Sequence, residues 1–225
     1  MTISAAMERY AAEIYRLQEE NEYAPLSEVA EHVHVSLQAA SRMIRRLKEA
    51  GIVDHEPYKG VQLTSKGENA AARGLRRHRL AERYLVDVMG FGWDEVHELT
   101  HDFELGISPA IEARIDEMLG YPTRCPHGEP IPDRDGNIPE LNDQPLTEVK
   151  QPISAQVTRV RSHDPKKLRY FAELGILPGV SIDLLHRAPF EGPMRLRIGT
   201  WREQVVGYQL AEALWVRLDD TPHSD

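Results

Sequence analysis

A run of potential metal ligands follows directly on a winged helix-turn-helix pattern, and together they restrict the fold more than any other feature of the chain. His78 and Glu82 lie four residues apart. His97, His101 and Glu104 fall at i, i+4 and i+7, and Cys125 and His127 stand in Cys125-Pro126-His127-Gly128. On a helix, positions i and i+4 share a face, so each helical group can aim nitrogen and oxygen donors at one point. A DNA reader with metal ligands on the adjoining helices points to a metal-sensing transcription regulator.

Met7 to Gln18 repeats apolar residues at helical spacing. Pro25 and Ser27 open a short second helix with Leu26, Val29, Ala30 and Val33 inward. Ser36 caps a third, with Leu37, Ala40, Met43, Ile44 and Leu47 on one face and Gly51 as the stop. Short strands at Ile52 to Asp54 and Val61 to Leu63 flank Pro57-Tyr58-Lys59-Gly60, which makes a wing. Ser65-Lys66-Gly67-Glu68 matches a capping box and predicts a long helix to about Met89. Further helices are expected from about Trp93 to Phe103 and from Ser108-Pro109 onward. The latter carries Ile111, Ile115, Met118 and Leu119, more apolar surface than a short segment buries alone. A homodimer seam is its expected use, since palindromic operator half-sites want a two-fold protein.

Asp133 to Pro152 is rich in Pro, Gly, Asn and Asp, lacks periodicity and reads as a linker. Beyond it the pattern turns to β. Val157 to Val160, Val180 to Leu185, Met194 to Ile198, Gln204 to Val206 and Leu214 to Leu218 are strand candidates, with one helix at Leu168 to Leu174. The fold class is therefore mainly α with a small β-barrel. Residues 1–64 form a winged helix-turn-helix DNA-binding domain, 65–133 a helical metal-binding and dimerisation domain, 134–152 a linker and 153–220 the barrel.

The net charge of -9 argues against indiscriminate nucleic-acid binding. Its distribution is uneven: from Ala40 to Arg83 there are eleven Lys/Arg against five Asp/Glu, while acid gathers in Asp133 to Glu148. A local basic face on an acidic protein suits specific DNA binding. The absence of a membrane-spanning apolar stretch or signal segment makes a cytoplasmic protein without membrane attachment the expectation. The single cysteine excludes an internal disulfide and makes Cys125, beside His127, a ligand candidate; an inert buried thiol is the competing reading.

Ser36, Gln38, Ala39, Ser41 and Arg42 stand near the front of the third helix, on its solvent side. Gln and Arg can make bidentate bonds to base edges, and Ala can touch a thymine methyl. Arg45, Arg46 and Lys48 suit phosphates, as does Lys59 in the wing. The competing reading is an ordinary solvated face; the basic bias and the wing favour double-stranded DNA.

His78, Glu82 and His97 offer two nitrogens and a carboxylate, a set suited to Mn(II), Fe(II), Co(II), Ni(II) or Zn(II). Cys125 and His127 lie in a loop able to fold back on Glu82, where a thiolate favours later metals over manganese. Carboxylates and imidazoles also activate water, but there is no His-Glu-x-x-His, nucleophile elbow or phosphate-cradling loop, so an enzyme is not expected.

The chain resembles the diphtheria-toxin-repressor/manganese-transport-repressor family of metal-dependent repressors. The matching residues are Met7-Glu8-Arg9-Tyr10 with Ile14-Tyr15, the helix-turn-helix and wing, Leu63-Thr64-Ser65-Lys66-Gly67, His78-Arg79-Leu80-Ala81-Glu82-Arg83, Val96-His97-Glu98 and Cys125 through Pro132. Leu174-Gly175-Ile176-Leu177-Pro178-Gly179 resembles the ferrous-transport-A-like form of the family's Src-homology-3-like barrel. The resemblance implies a homodimeric repressor of metal-uptake genes with Mn(II) or Fe(II) as co-repressor and Zn(II), Co(II) or Cd(II) as substitutes. It places one metal site on His78, Glu82 and His97. A second is implied on Glu82, Cys125, His127 and Asp164, with Ser162 and His163 as rivals of Asp164.

The resemblance also exposes departures. The family's regulatory site would fall on Arg9, His101, Glu104 and Leu105, and Arg9 and Leu105 are not ligands. The implied outcomes are that His101 and Glu104 join a different metal arrangement, or that Arg9 pairs with Glu104 and replaces the metal charge. In the latter case the chain either senses metal through its other ligands or binds DNA without metal.

Overall fold

The computed structural model describes residues 3–19, 21–150, 153–199 and 202–219. These form two compact units. The first is Met1–Ala81, His101–Asp116 and Ile131–Pro139; the second is Glu82–Thr100, Glu117–Pro130 and Glu140–Asp225.

The first unit opens with α1 (Ala5–Gln18), α2 (Leu26–His32) and α3 (Leu37–Glu49), then the hairpin β1 (Val53–Glu56) and β2 (Gly60–Leu63). Ser4 caps α1 by accepting from the Met7 amide, and Ser36 caps α3 by accepting from the Ala39 amide, both at 3.3 Å. The inward faces of these helices meet the hairpin around Met7, Ile14, Val29, Ala40, Ile44, Leu47, Ile52 and Val61. The wing is antiparallel, with Val53 opposite Leu63 and Glu56 opposite Gly60; Ala24 bridges to Val61. Leu37, expected inward, is instead 54% exposed at the front of α3. Its position on the first turn places it beyond the core that Ala40, Ile44 and Leu47 fill.

The long helix α4 (Ser65–Asp87) runs from this unit into the second. Its cap is Thr64 rather than Ser65, because the Thr64 hydroxyl accepts the Gly67 amide at 3.1 Å. Gly74 lets α4 pass close to α1: a Cβ there would lie 2.4 Å from the Glu8 carbonyl oxygen. Arg73 and Arg77 then clasp the Glu8 carboxylate at 2.9 and 2.8 Å. Helix α5 (Val96–Phe103) begins three residues later than expected and tightens into a 3-10 turn at Glu104–Gly106; α6 spans Pro109–Met118. Arg76 ties into α6 through Glu112 (3.2 Å) and Asp116 (2.6 Å).

The second unit is built on β3 (Gln144–Pro145), β4 (Ile153–Val160), β5 (Ser181–Arg187), β6 (Met194–Ile198), β7 (Arg202–Val206) and β8 (Leu214–Leu218). Helix α7 (Pro165–Leu174) follows β4, and α8 (Tyr208–Ala211) precedes β8. The strands pair antiparallel in the order β3-β8-β4-β5-β6-β7, with bulges in β4 and β5. Val157, Leu168, Phe171, Ile182, Leu184, Leu196 and Leu214 fill its core. Among the described residues this is an open sheet, not the closed barrel expected. Its edge strand β3 is two residues long and includes Pro145, which has no N–H with which to extend the ladder.

The stretch expected to be a linker contributes β3 and a 3-10 turn at Leu146–Glu148, and Leu146 and Val149 are buried in the sheet's core. Among the described residues, no helix is long and apolar enough to cross a membrane.

Candidate metal centre and nucleic-acid interface

In the second unit, Glu82 on α4, His97 on α5 and the Cys125–Gly128 loop converge in a buried site. One Glu82 carboxylate oxygen lies 3.1 Å from His97 Nδ1, and the other lies 3.5 Å from His127 Nδ1. Cys125 Sγ is 4.0 Å from His127 Nδ1. Donor atoms of Glu82, Cys125 and His127 all fall within 4.8 Å of one another, a spacing suited to a metal ion.

The loop is locked in shape. Cys125 donates its amide to the Glu129 carbonyl (2.9 Å), Gly128 to that of Cys125 (3.0 Å), and Val160 to that of His127 (2.9 Å). Gly128 has φ +90°, and a Cβ on it would lie 2.2 Å from the Thr158 carbonyl oxygen. Only glycine fits there, which accounts for the residue after His127.

His127 Nε2 lies 2.8 Å from the Trp93 carbonyl oxygen. A carbonyl only accepts, so the Nε2 proton is fixed and Nδ1 is the nitrogen presented to Glu82 and Cys125. Burial disfavours charge on this imidazole, but Glu82 and Cys125 outweigh it and hold its pKa well above the ordinary value. A metal ion at Nδ1 would take the place of that proton beside the Glu82 carboxylate. His163, in the loop before α7, stacks its ring parallel on that of His97 with centroids 3.7 Å apart.

Asp164 does not join these residues. It is exposed, and its carboxylate caps α7 by accepting the Lys166 amide at 2.8 Å. The resemblance implies a ligand at Asp164, but Asp164-Pro165 is a helix-start signal and the side chain serves as that cap.

His101 and Glu104 belong to the first unit, apart from His97. His78, His101 and Glu104 are buried with donor atoms within 4.8 Å of one another. His78 Nδ1 is 2.9 Å from Glu104 Oε2, while Arg9 brings Nη2 to 3.0 Å from His101 Nδ1 and Nε to 3.5 Å from Glu104 Oε1. Leu105 is exposed.

On α3, Ser36, Gln38, Ser41, Arg42, Arg45, Arg46 and Lys48 are exposed, and Ala39 is half-buried. Leu37 shares this exposed front, one turn before Ser41. Its periodicity alone suggests a core residue, so nothing in the sequence separates it from Ala40. Lys59 stands in the wing paired with Glu56 at 2.8 Å; such an exposed pair is weak enough to be exchanged for a phosphate.

Residues 2–61 match the family described as "Iron dependent repressor, N-terminal DNA binding domain", residues 64–133 match "Iron dependent repressor, metal binding and dimerisation domain", and residues 144–218 match "FeoA domain". The diphtheria toxin repressor of Corynebacterium efficiens is 30% identical over 190 residues, covering 80% of this chain and 82% of that protein. The iron-dependent repressor IdeR of Mycobacterium tuberculosis is 29% identical over 187 residues, 78% of this chain and 81% of that protein. A solved manganese-dependent transcriptional repressor in complex with manganese superposes with a TM-score of 0.86 at 37% identity, covering 93% of this chain and 98% of the other. With repressors of one kind matched along nearly its whole length, and its basic α3 and buried donor set in the corresponding domains, the chain belongs to the diphtheria-toxin-repressor family of metal-dependent, DNA-binding transcriptional repressors.

Proposed function

We propose that this protein is a homodimeric repressor of metal-uptake genes that binds palindromic operator DNA in the cytoplasm when Mn(II) or Fe(II) fills a centre built on Glu82, His97, Cys125 and His127. The observation that carries this reading is the Glu82 carboxylate, divided between two imidazoles beside the only thiol of the chain. His78 stands one turn before Glu82 on the same helix and is the next donor along that face. His163, against His97, is a better candidate from its loop than Asp164, whose carboxylate is engaged in capping.

A bound divalent ion supplies positive charge that holds these donors together. Glu82 and Cys125 carry the compensating negative charge, and the Trp93 carbonyl keeps His127 turned with Nδ1 toward them. The thiolate draws the preference from manganese toward iron, and Co(II), Zn(II) and Cd(II) fit as substitutes. Iron is named for the mycobacterial relative and manganese for the structural one.

On the DNA side, Gln38 and Arg42 read base edges with Ser36, Ala39 and Ser41, while Arg45, Arg46, Lys48 and Lys59 hold phosphates. Leu37 adds an apolar contact. Metal favours the DNA-competent state by binding it more tightly than the alternatives.

The test is fluorescence anisotropy with a selected operator duplex at fixed, near-physiological salt. Metal-free protein is titrated with Mn(II) and, anaerobically, with Fe(II). Affinity rises with metal, falls with chelator and is lost in the His78→Ala/Glu82→Ala double variant. Tight binding that ignores metal, chelator and both substitutions overturns the reading and leaves a repressor freed from metal control.

A further inference from the structure

We infer that Arg9 is a resident cation: beside His78, its guanidinium takes the place of a metal ion at His101 and Glu104, leaving that pair a metal-free strut of the first unit. The three side chains are a cation-binding set by residue type, spacing and burial, with His78 3%, His101 6% and Glu104 3% exposed. What reaches them is the side chain of α1. Arg9 Nη2 is 3.0 Å from His101 Nδ1 and 3.3 Å from the Val33 carbonyl oxygen, and Nε faces Glu104 Oε1 at 3.5 Å.

A guanidinium has only donors and does not lose its proton in proteins. Its contact with His101 therefore makes Nδ1 the acceptor, so Arg9 occupies one of the two nitrogens that His101 could offer a metal. The same charge compensates the buried Glu104 carboxylate, which is otherwise costly to hold in the interior. Arg9 Nε and Glu104 Oε1 are both buried and make no hydrogen bond, so the pair acts through charge alone.

The second Glu104 oxygen has a separate task. It lies 2.9 Å from His78 Nδ1, and an ionised carboxylate accepts. His78 accordingly carries its proton on Nδ1, and the Glu104 carboxylate fixes the orientation of its ring. Glu104 is thus a positioning residue for His78, and Arg9 holds Glu104 in that role. This last step rests on the reading of His78 as a ligand; the occupation of the cluster by Arg9 does not.

The experiment counts metal. Wild-type protein and the variants Arg9→Met, Arg9→Lys, His101→Ala and Arg9→Met/His101→Ala are equilibrated with Mn(II), dialysed and assayed by mass spectrometry of the metal and by calorimetric titration. Arg9→Met gains one Mn(II) per chain over wild type, the double variant loses that gain, and Arg9→Lys gains none. His101→Ala alone leaves the wild-type count unchanged, a result that stands even if Arg9→Met fails to fold. In chelator, Arg9→Met melts below wild type and recovers when Mn(II) is added. A drop in the wild-type count on His101→Ala, or a folded Arg9→Met that binds no additional Mn(II), overturns the inference. Metal lost on Glu82→Gln reports on the other centre, so failure of that reading is seen separately.

Discussion

His127 donates from Nε2 to the carbonyl oxygen of Trp93 across 2.8 Å, and this contact decides which of its nitrogens faces Glu82. A backbone carbonyl cannot be removed by mutation, so this orientation is set by the fold of residues 92–95 and not by a replaceable side chain. It makes the identity of the coordinating atoms testable.

With Co(II) as a probe, the wild-type protein shows a thiolate-to-cobalt charge-transfer band. Cys125→Ser loses that band while keeping the ligand-field bands given by Glu82 and the histidines. Absence of the charge-transfer band in Co(II)-loaded wild type removes Cys125 from the donor set.

Gly128→Ala brings a Cβ to 2.2 Å from the Thr158 carbonyl oxygen and demands positive φ of an alanine. Strain of this kind costs about 1–3 kcal/mol. Urea unfolding of the metal-free variant reads the loss directly, and metal affinity falls with it because Cys125 and His127 lie on the displaced loop. A variant as stable as wild type contradicts the packing described for the loop.

His32 Nδ1 stands 3.6 Å from the Glu13 carboxylate, and this partner raises the imidazole pKa above its ordinary value, against partial desolvation and the nearby Arg16. A raised folded-state pKa gives a contribution to stability that is full below the unfolded value of about 6.5 and is lost as pH rises through the folded value. The stability difference between wild type and His32→Gln, measured by urea unfolding, therefore shrinks from pH 5.5 to pH 8.5. A difference that is constant across this range removes the ion pair from the account.

Leu37 exposes an aliphatic side chain at the front of the reading helix, where thymine methyl groups line the major groove. Replacing thymine by uracil at the contacted step removes one methyl, worth about 0.8 kcal/mol or roughly fourfold in affinity. Leu37→Ala abolishes this discrimination. Equal sensitivity to uracil in the variant and in wild type assigns the methyl contact to another residue.

Ile111 and Met118, 46% and 53% exposed, lie seven residues apart on α6 and so share a face. Ile111→Glu places a charge there and forfeits about 1.5–3 kcal/mol of apolar burial per copy if this face is the dimer seam. Analytical ultracentrifugation then shows a shift to monomer, with weakened operator binding. An unchanged dimer moves the seam elsewhere.

Features carried by local chemistry were legible in the sequence: Ser36 as a cap, the wing around Tyr58-Lys59, strands β6 and β8 to the residue, and the donor spacing from His78 to His127. Features decided at a distance were not. Leu37 has the same periodicity as Ala40, and only the filling of the core by Ile44 and Leu47 leaves it outside. Leu146 is hidden among prolines and asparagines, yet it is buried because the sheet needs a residue there. Asp164 and His163 are adjacent; a side-chain cap and a ring stack separate their roles, and neither follows from composition. Arg9 was identifiable as a departure, but only its distances reveal which atoms it engages.

Cys125 is the only cysteine of the chain, and it lies in the same buried site as Glu82 and His127. Alkylation or oxidation of the protein's thiol therefore strikes the proposed sensing centre and no other sulfhydryl. Cellular oxidants and metal supply would converge on one atom, making an oxidised repressor indistinguishable from a metal-starved one to the genes it controls.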